Sequence, residues 1–170
     1  HHNGINKISI ILRHSERFFT EDPSLEPFMP LTENGKDLAF KFGKALPPTL
    51  VPVLFSSYIG RCIETAYLID KGFAAQHGLS AAHPKTGDTF SPFYIKDIEK
   101  VISLLNDFKE RDFLEKWFSN HFDTGIIDDP ALTADKLCAV MAEHLKKIEE
   151  NQIAVCVSHD WNLYPLKEFK

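Results

Sequence analysis

Three of the four arginines in this chain, Arg13, Arg17 and Arg61, stand beside a histidine or a serine turn, while fifteen lysines carry the remaining positive charge. Arginine presents a planar fork of N–H donors that can meet two oxygens of a phosphate at once, whereas lysine is a solvated point charge. Their restriction to these positions points to an oxyanion pocket. His14 lies within Arg13-His14-Ser15-Glu16-Arg17, where flanking positive charge disfavours imidazolium and keeps the ring neutral near pH 7. A neutral imidazole can attack phosphorus in line while arginines neutralise the equatorial oxygens, and the resulting phosphohistidine can be hydrolysed by water. A second histidine, His159, sits in Ser158-His159-Asp160, where it could add a hydrogen bond to the same group. Asp160 is the nearest candidate to protonate a departing oxygen and then deprotonate water.

Each of these clusters follows an apolar run of strand length. Lys7 to Leu12 ends in the Arg13–Arg17 cluster, Val51 to Phe55 leads into Ser57 to Arg61, and Ile153 to Val157 runs into His159-Asp160. Between them lie helical patterns. Thr32 can cap a helix with Leu38, Phe42 and Leu46 on one face, and another carries Cys62, Ala66, Ile69 and Phe73. A third opens at Thr133, with Leu137, Val140, Met141, His144, Leu145 and Ile148 forming a buried stripe. Alternating strands and helices predict an α/β fold, a three-layer αβα sandwich around a mostly parallel sheet. In such sheets ligands gather at the carboxyl ends of the strands, so all three clusters should converge. The segment from about 85 to 130, rich in aromatics from Phe90 to Phe122, reads as helices of a cap or insertion.

With 170 residues and 44% hydrophobic composition, the chain can bury roughly two-thirds of its unfolded surface, as one domain over 1–170. A formal charge of −5 gives no electrostatic reason to expect a nucleic acid or an anionic membrane as partner. No apolar run reaches the ~20 residues that span a bilayer. The opening His1-His2-Asn3-Gly4 resembles a tag remnant, so localisation stays open between cytoplasmic and, with a leader removed, secreted or periplasmic. Cys62, Cys138 and Cys156 are too scattered for a disulfide framework or a structural zinc site and read as small core residues. No HxxxH, HxH or carboxylate-rich spacing suggests a metal, so neither metal nor cofactor is expected.

These motifs, taken in order, resemble the histidine phosphatase superfamily, which includes phosphoglycerate mutases, acid phosphatases and phytases. RHSER at 13–17 is similar to its Arg-His-Gly-x-Arg signature, SSYIGRCIETA at 56–66 to its second phosphate-binding segment, and SHD at 158–160 to the site of its second histidine. LTENGKDLAFKFGKAL at 31–46 resembles the helix that follows the first motif. The resemblance implies a phosphoglycerate mutase-like fold, His14 as nucleophile, Arg13, Arg17 and Arg61 as phosphate ligands, and His159 as the second pocket histidine. It implies a phosphatase acting on a small phosphate ester or a phosphoprotein, with a phosphomutase or an inactive phosphate-binding protein as alternatives. His-Asp resembles the acid phosphatase and phytase branch, where Asp160 would be the proton donor; in the mutase-like branch Asp88, Asp97 or Glu99 could serve instead. Ser15 replaces the usual glycine, and the chain stops eleven residues after His159, where the family continues, so a C-terminal piece is expected beyond it.

Plainer roles exist for several of these side chains. Arg13 and Arg17 could bridge to Glu16 or Glu21, and Arg61 could pair with Glu64 one turn on. Asp160 could simply cap the helix after its strand. His144 reads as a core histidine, and His77, His83 and His121 as exposed ones. Trp161 could line a substrate mouth or pack in the core.

Overall fold

The computed structural model describes residues 6–22, 24–78 and 83–170; the tag-like opening lies outside them. Each apolar run forms a strand: β1 (Lys7–Arg13), β2 (Val51–Ser56) and β4 (Gln152–Ser158), joined by a two-residue β3 (Lys85–Thr86) that periodicity did not reveal. All pair in parallel, in the order β1-β4-β2-β3. The register aligns Arg13 with Ser158 and Ser56 with Val157. His14, His159 and Ser57 therefore leave the sheet side by side at its carboxyl edge.

β4 is central, and its side chains divide by period two between two cores. Ile153, Val155 and Val157 join Ala39, Cys62, Ala66, Ile69 and Phe73 beneath α1 (Glu33–Ala45) and α2 (Gly60–His77). Ala154 and Cys156 join Leu137 and Ile148 beneath α5 (Pro130–Lys147), with Leu166 of α6 (Asp160–Phe169) packed alongside. The result is the expected three-layer αβα arrangement. A third cluster, Tyr94, Val101, Phe113, Trp117 and Ile127, gathers around α3 (Ile98–Asp107) and α4 (Glu110–Phe118) in the aromatic middle segment. No helix among the described residues is long and apolar enough to cross a membrane.

Two helices differ from the sequence reading. In α1 the face carrying Leu38 and Phe42 is exposed, and Gly35, Ala39 and Gly43 are buried instead. The cause is close backbone approach to α2. A Cβ at Gly43 would strike the carbonyl of Ile69, and one at Gly72 the carbonyl of Phe40. Hydrophobic spacing favours large residues and so selects the wrong face here. α5 starts earlier than Thr133, because Asp129 caps it by accepting from Leu132 N–H at 3.0 Å, with Pro130 at the first helical position. Thr133 instead donates back to the Asp129 carbonyl.

Candidate functional site

His14 follows β1 and is buried, 3% exposed. Its Nδ1 lies 2.7 Å from the Ser15 carbonyl. A carbonyl can only accept, so Nδ1 carries the proton and Nε2 keeps a free lone pair. Burial, reinforced by Arg61 and Arg13, lowers the His14 pKa to about 4 despite opposing contributions from the Ser15 carbonyl and Asp160. The ring is therefore neutral at pH 7, as the sequence suggested, but desolvation is the leading cause and the arginine field is secondary.

His159 follows β4, with its ring 5.6 Å from that of His14 and nearly edge-on. Arg61 Nη2 approaches its Nδ1 at 3.3 Å. Because a guanidinium only donates, this nitrogen accepts and the proton resides on Nε2, which donates to Ser57 Oγ at 3.0 Å. Ser57 Oγ in turn meets Ser91 Oγ at 2.8 Å, tying the pocket to the middle segment. Burial, with Arg61 and then His14 adding to it, pushes the His159 pKa down to about 3. Both ring nitrogens are thus engaged, and a hydrogen bond from His159 to a phosphoryl oxygen would have to replace the one to Ser57.

The arginines do not make the local pairs that helical spacing allowed. Arg61, at the start of α2, and Arg17 converge on Glu26, from the loop after β1. Arg17 Nη2 lies 2.8 Å from Glu26 Oε1, and Arg61 Nη2 lies 3.1 Å from each carboxylate oxygen. Arg61 Nη1 also donates to the Glu26 carbonyl at 2.8 Å. Glu16 is occupied elsewhere, accepting from Thr32 and Asn34 at the start of α1. Among the described residues, the buried Nε of Arg17 and that of Arg61 have no acceptor. Arg13 pairs instead with Asp160, Nε to Oδ2 at 3.2 Å.

Asp160 is the first residue of α6, and His159 occupies the cap position. Its charge acts on His14. By contrast, Asp97 caps α3 and pairs with Lys100, while Asp88 and Glu99 lie in the first turns of a 3-10 segment and α3. Ser15 Oγ donates to the Gly35 carbonyl at 2.6 Å and its N–H to Thr65 Oγ1. The hydroxyl that replaces the usual glycine's hydrogen is thereby tied to α1. Trp161 packs on Phe113, with rings 5.2 Å apart, and donates to Glu110. Cys62 touches His159, yet burial pushes its thiol up to about 12, which keeps it protonated and unsuited to attack.

A cavity of about 580 Å³ opens elsewhere, between β2, β3 and α5, lined by Phe55, Lys85, His144 and Lys147 among others. Its histidine lies flat on Phe55 at 3.7 Å, a packing role, and none of the strand-end groups reaches it. His83 and His121 are exposed as expected, but His77 is half-buried and hydrogen-bonded to the Leu46 carbonyl. Among the described residues, no group of three or more His, Cys, Asp or Glu side chains is disposed to hold a metal ion. Sequence reasoning missed Glu26 and Ser91. Glu26 had no signal, because it lies in a proline-punctuated loop without periodicity.

No protein-family model and no curated protein matches the sequence. Solved structures do match the fold. A phosphoglycerate mutase from Bacillus anthracis superposes with a TM-score of 0.57 at 18% identity, covering 94% of this chain and 78% of that one. A mycobacterial glucosyl-3-phosphoglycerate phosphatase bound to inorganic phosphate gives 0.56 at 15% identity, over 92% and 75%. An Entamoeba histolytica phosphoserine phosphatase mutant in complex with phosphoserine gives 0.55 at 15%, over 96% and 79%. With β1, β2 and β4 leading into two histidines and three arginines at one sheet edge, the chain has a phosphoglycerate mutase-like fold.

Proposed function

We propose that this chain is a histidine phosphatase that hydrolyses phosphate monoesters, on a small molecule or a phosphoprotein, through a phosphohistidine on His14. The observation that carries this reading is the state of His14: neutral by burial, with its proton held on Nδ1 by the Ser15 carbonyl and Nε2 left free. Nε2 donates its lone pair to phosphorus as the P–O ester bond breaks, and Asp160, having first taken up the proton of the incoming monoester monoanion, passes it to the departing oxygen. Water then attacks phosphorus and gives its proton to Asp160. The P–N bond breaks, phosphate leaves and neutral His14 returns. Arg17 and Arg61 compensate the phosphoryl oxygens, Arg13 orients Asp160 through their 3.2 Å ion pair, and His159 steadies Arg61. No metal takes part. The similar solved structures include two phosphatases, which supports hydrolysis, and a mutase, which supports return of the phosphoryl group to a bound product as the alternative.

A panel of phosphate monoesters, assayed for released phosphate with and without EDTA, tests the reading. Turnover should survive the chelator, inorganic phosphate and vanadate should compete with substrate, and added alcohol acceptors should capture little of the phosphoryl group. Activity lost in chelator and restored by one metal would overturn the metal-free reading, and predominant transfer to an acceptor would favour the mutase.

A further inference from the structure

The position where a phosphoryl group would sit against Arg17 and Arg61 already holds a carboxylate from the chain itself. Both guanidiniums converge on the Glu26 side chain at 2.8–3.1 Å, an arrangement that resembles an arginine pair closing on a phosphate. We propose that Glu26 is an internal competitor for the anion site, an affinity-setting residue that every phosphate ligand must displace. The inference rests on the phosphate-pocket reading of these arginines and adds the group that governs entry to it.

The loop that delivers Glu26 is built to leave. Among its described residues from 18 to 30, none is buried, and Phe19 and Phe28 are 79% and 77% exposed. Its base is fixed, because Phe18 N–H donates to the Pro30 carbonyl and Arg17 bridges to Leu31. Beyond that base, the Glu26 contacts to Arg17 and Arg61 attach the loop to the sheet edge. A segment that buries no apolar side chain opens at low free-energy cost once its polar contacts are replaced.

The arginines, however, do not release Glu26 into an empty site. The Arg61 side chain is only 4% exposed, and a buried cation stripped of its counter-charge is strongly unfavourable. The carboxylate therefore stays until another anion takes its place. A phosphoryl group is better equipped for the exchange, because it brings three acceptor oxygens where the carboxylate has two. The Nε of Arg17 and that of Arg61 are the donors that such oxygens could satisfy.

Competition of this kind lowers the apparent affinity of all anions by one common factor, the fraction of molecules with the site vacated. Glu26→Gln keeps the shape and removes the charge. Calorimetric titration with inorganic phosphate and with tungstate should show both binding about tenfold more tightly in Glu26→Gln than in the unmodified protein, by a similar factor. On p-nitrophenyl phosphate, KM should fall by that factor while kcat changes by less than about threefold. Glu21→Gln, the same charge change on an exposed residue of the same loop, should alter neither. Glu26→Ala provides a second variant should the glutamine retain some hydrogen bonding.

Unchanged or weaker anion binding in both Glu26 variants would overturn the inference, showing that Glu26 positions the arginines and does not compete for them. A fall in kcat that deepens with poorer leaving groups would also overturn it, by making Glu26 a proton donor. If neither the unmodified protein nor the variants bind phosphate, the phosphate-pocket reading fails, and this inference with it.

Discussion

The floor and the rim of the strand-edge site differ in what fixes their charge. On the floor, His14, His159 and Arg61 are 3%, 5% and 6% exposed, and burial sets both histidines neutral before any ligand arrives. On the rim, the Asp160 and Glu26 side chains are about one-third exposed, and ion pairs to Arg13, Arg17 and Arg61 orient them. His14 and His159 directly follow neighbouring strands of a parallel sheet, whose register sets them side by side. The rim is made of partly exposed groups held by ion pairs. Nucleophilic attack should therefore belong to the floor, and proton delivery and ligand admission to the rim.

The largest test of that division is Asp160→Asn. Removing a general acid costs ~10²–10⁴-fold, and the cost should depend on the leaving group. An aryl oxide leaves without help, so p-nitrophenyl phosphate should lose little, whereas an alkyl phosphate should lose most of its kcat/KM. Equal losses for both esters would assign Asp160 to holding Arg13. If the leaving-group dependence appears instead on replacing Asp88, Asp97 or Glu99, the proton donor lies in the middle segment.

A smaller effect sharpens the floor. Below the ordinary histidine value of 6.5, an unfolded chain takes up protons on these imidazoles, while folded His14 and His159 stay neutral down to about 4 and about 3. The unfolded state then binds more protons, so stability falls as the pH drops from 6.5 toward 4. Carboxylates contribute to acid unfolding as well, so the informative quantity is a difference. Between pH 7 and pH 5 the Tm of His14→Asn should fall less than that of the unmodified protein by a few degrees, since a chain of this size moves about 2–4 °C per kcal/mol. Parallel Tm curves would show that His14 titrates normally and that its burial does not hold it neutral.

The floor was also the part legible in the sequence. His14, Arg61 and His159 each come after a strand whose apolar run is plain in the sequence, and a parallel sheet brings such ends together. The rim was less so. Asp160 reads equally well as a cap until its 3.2 Å pair with Arg13 is seen, and Glu26 reaches Arg61 across 35 residues from a loop with no periodic signal. Ser91 was hidden for the same reason, because its link to His159 runs through Ser57 and exists only in three dimensions. In the fold, the buried face of α1 was misread because glycines let the backbones touch, and hydrophobic spacing carries no record of a contact made by absent side chains.

If His14 is the nucleophile, its Nε2 becomes covalently bonded to phosphorus during turnover. Rapid acid-free denaturation after mixing with a ³²P-labelled aryl phosphate, followed by peptide mapping, tests it directly. The expected result is an acid-labile, base-stable label on the peptide containing His14 in the unmodified protein. In His14→Ala, label and turnover should both be absent while circular dichroism shows the fold retained. Turnover that persists in His14→Ala, or a label found on another residue, would contradict the account.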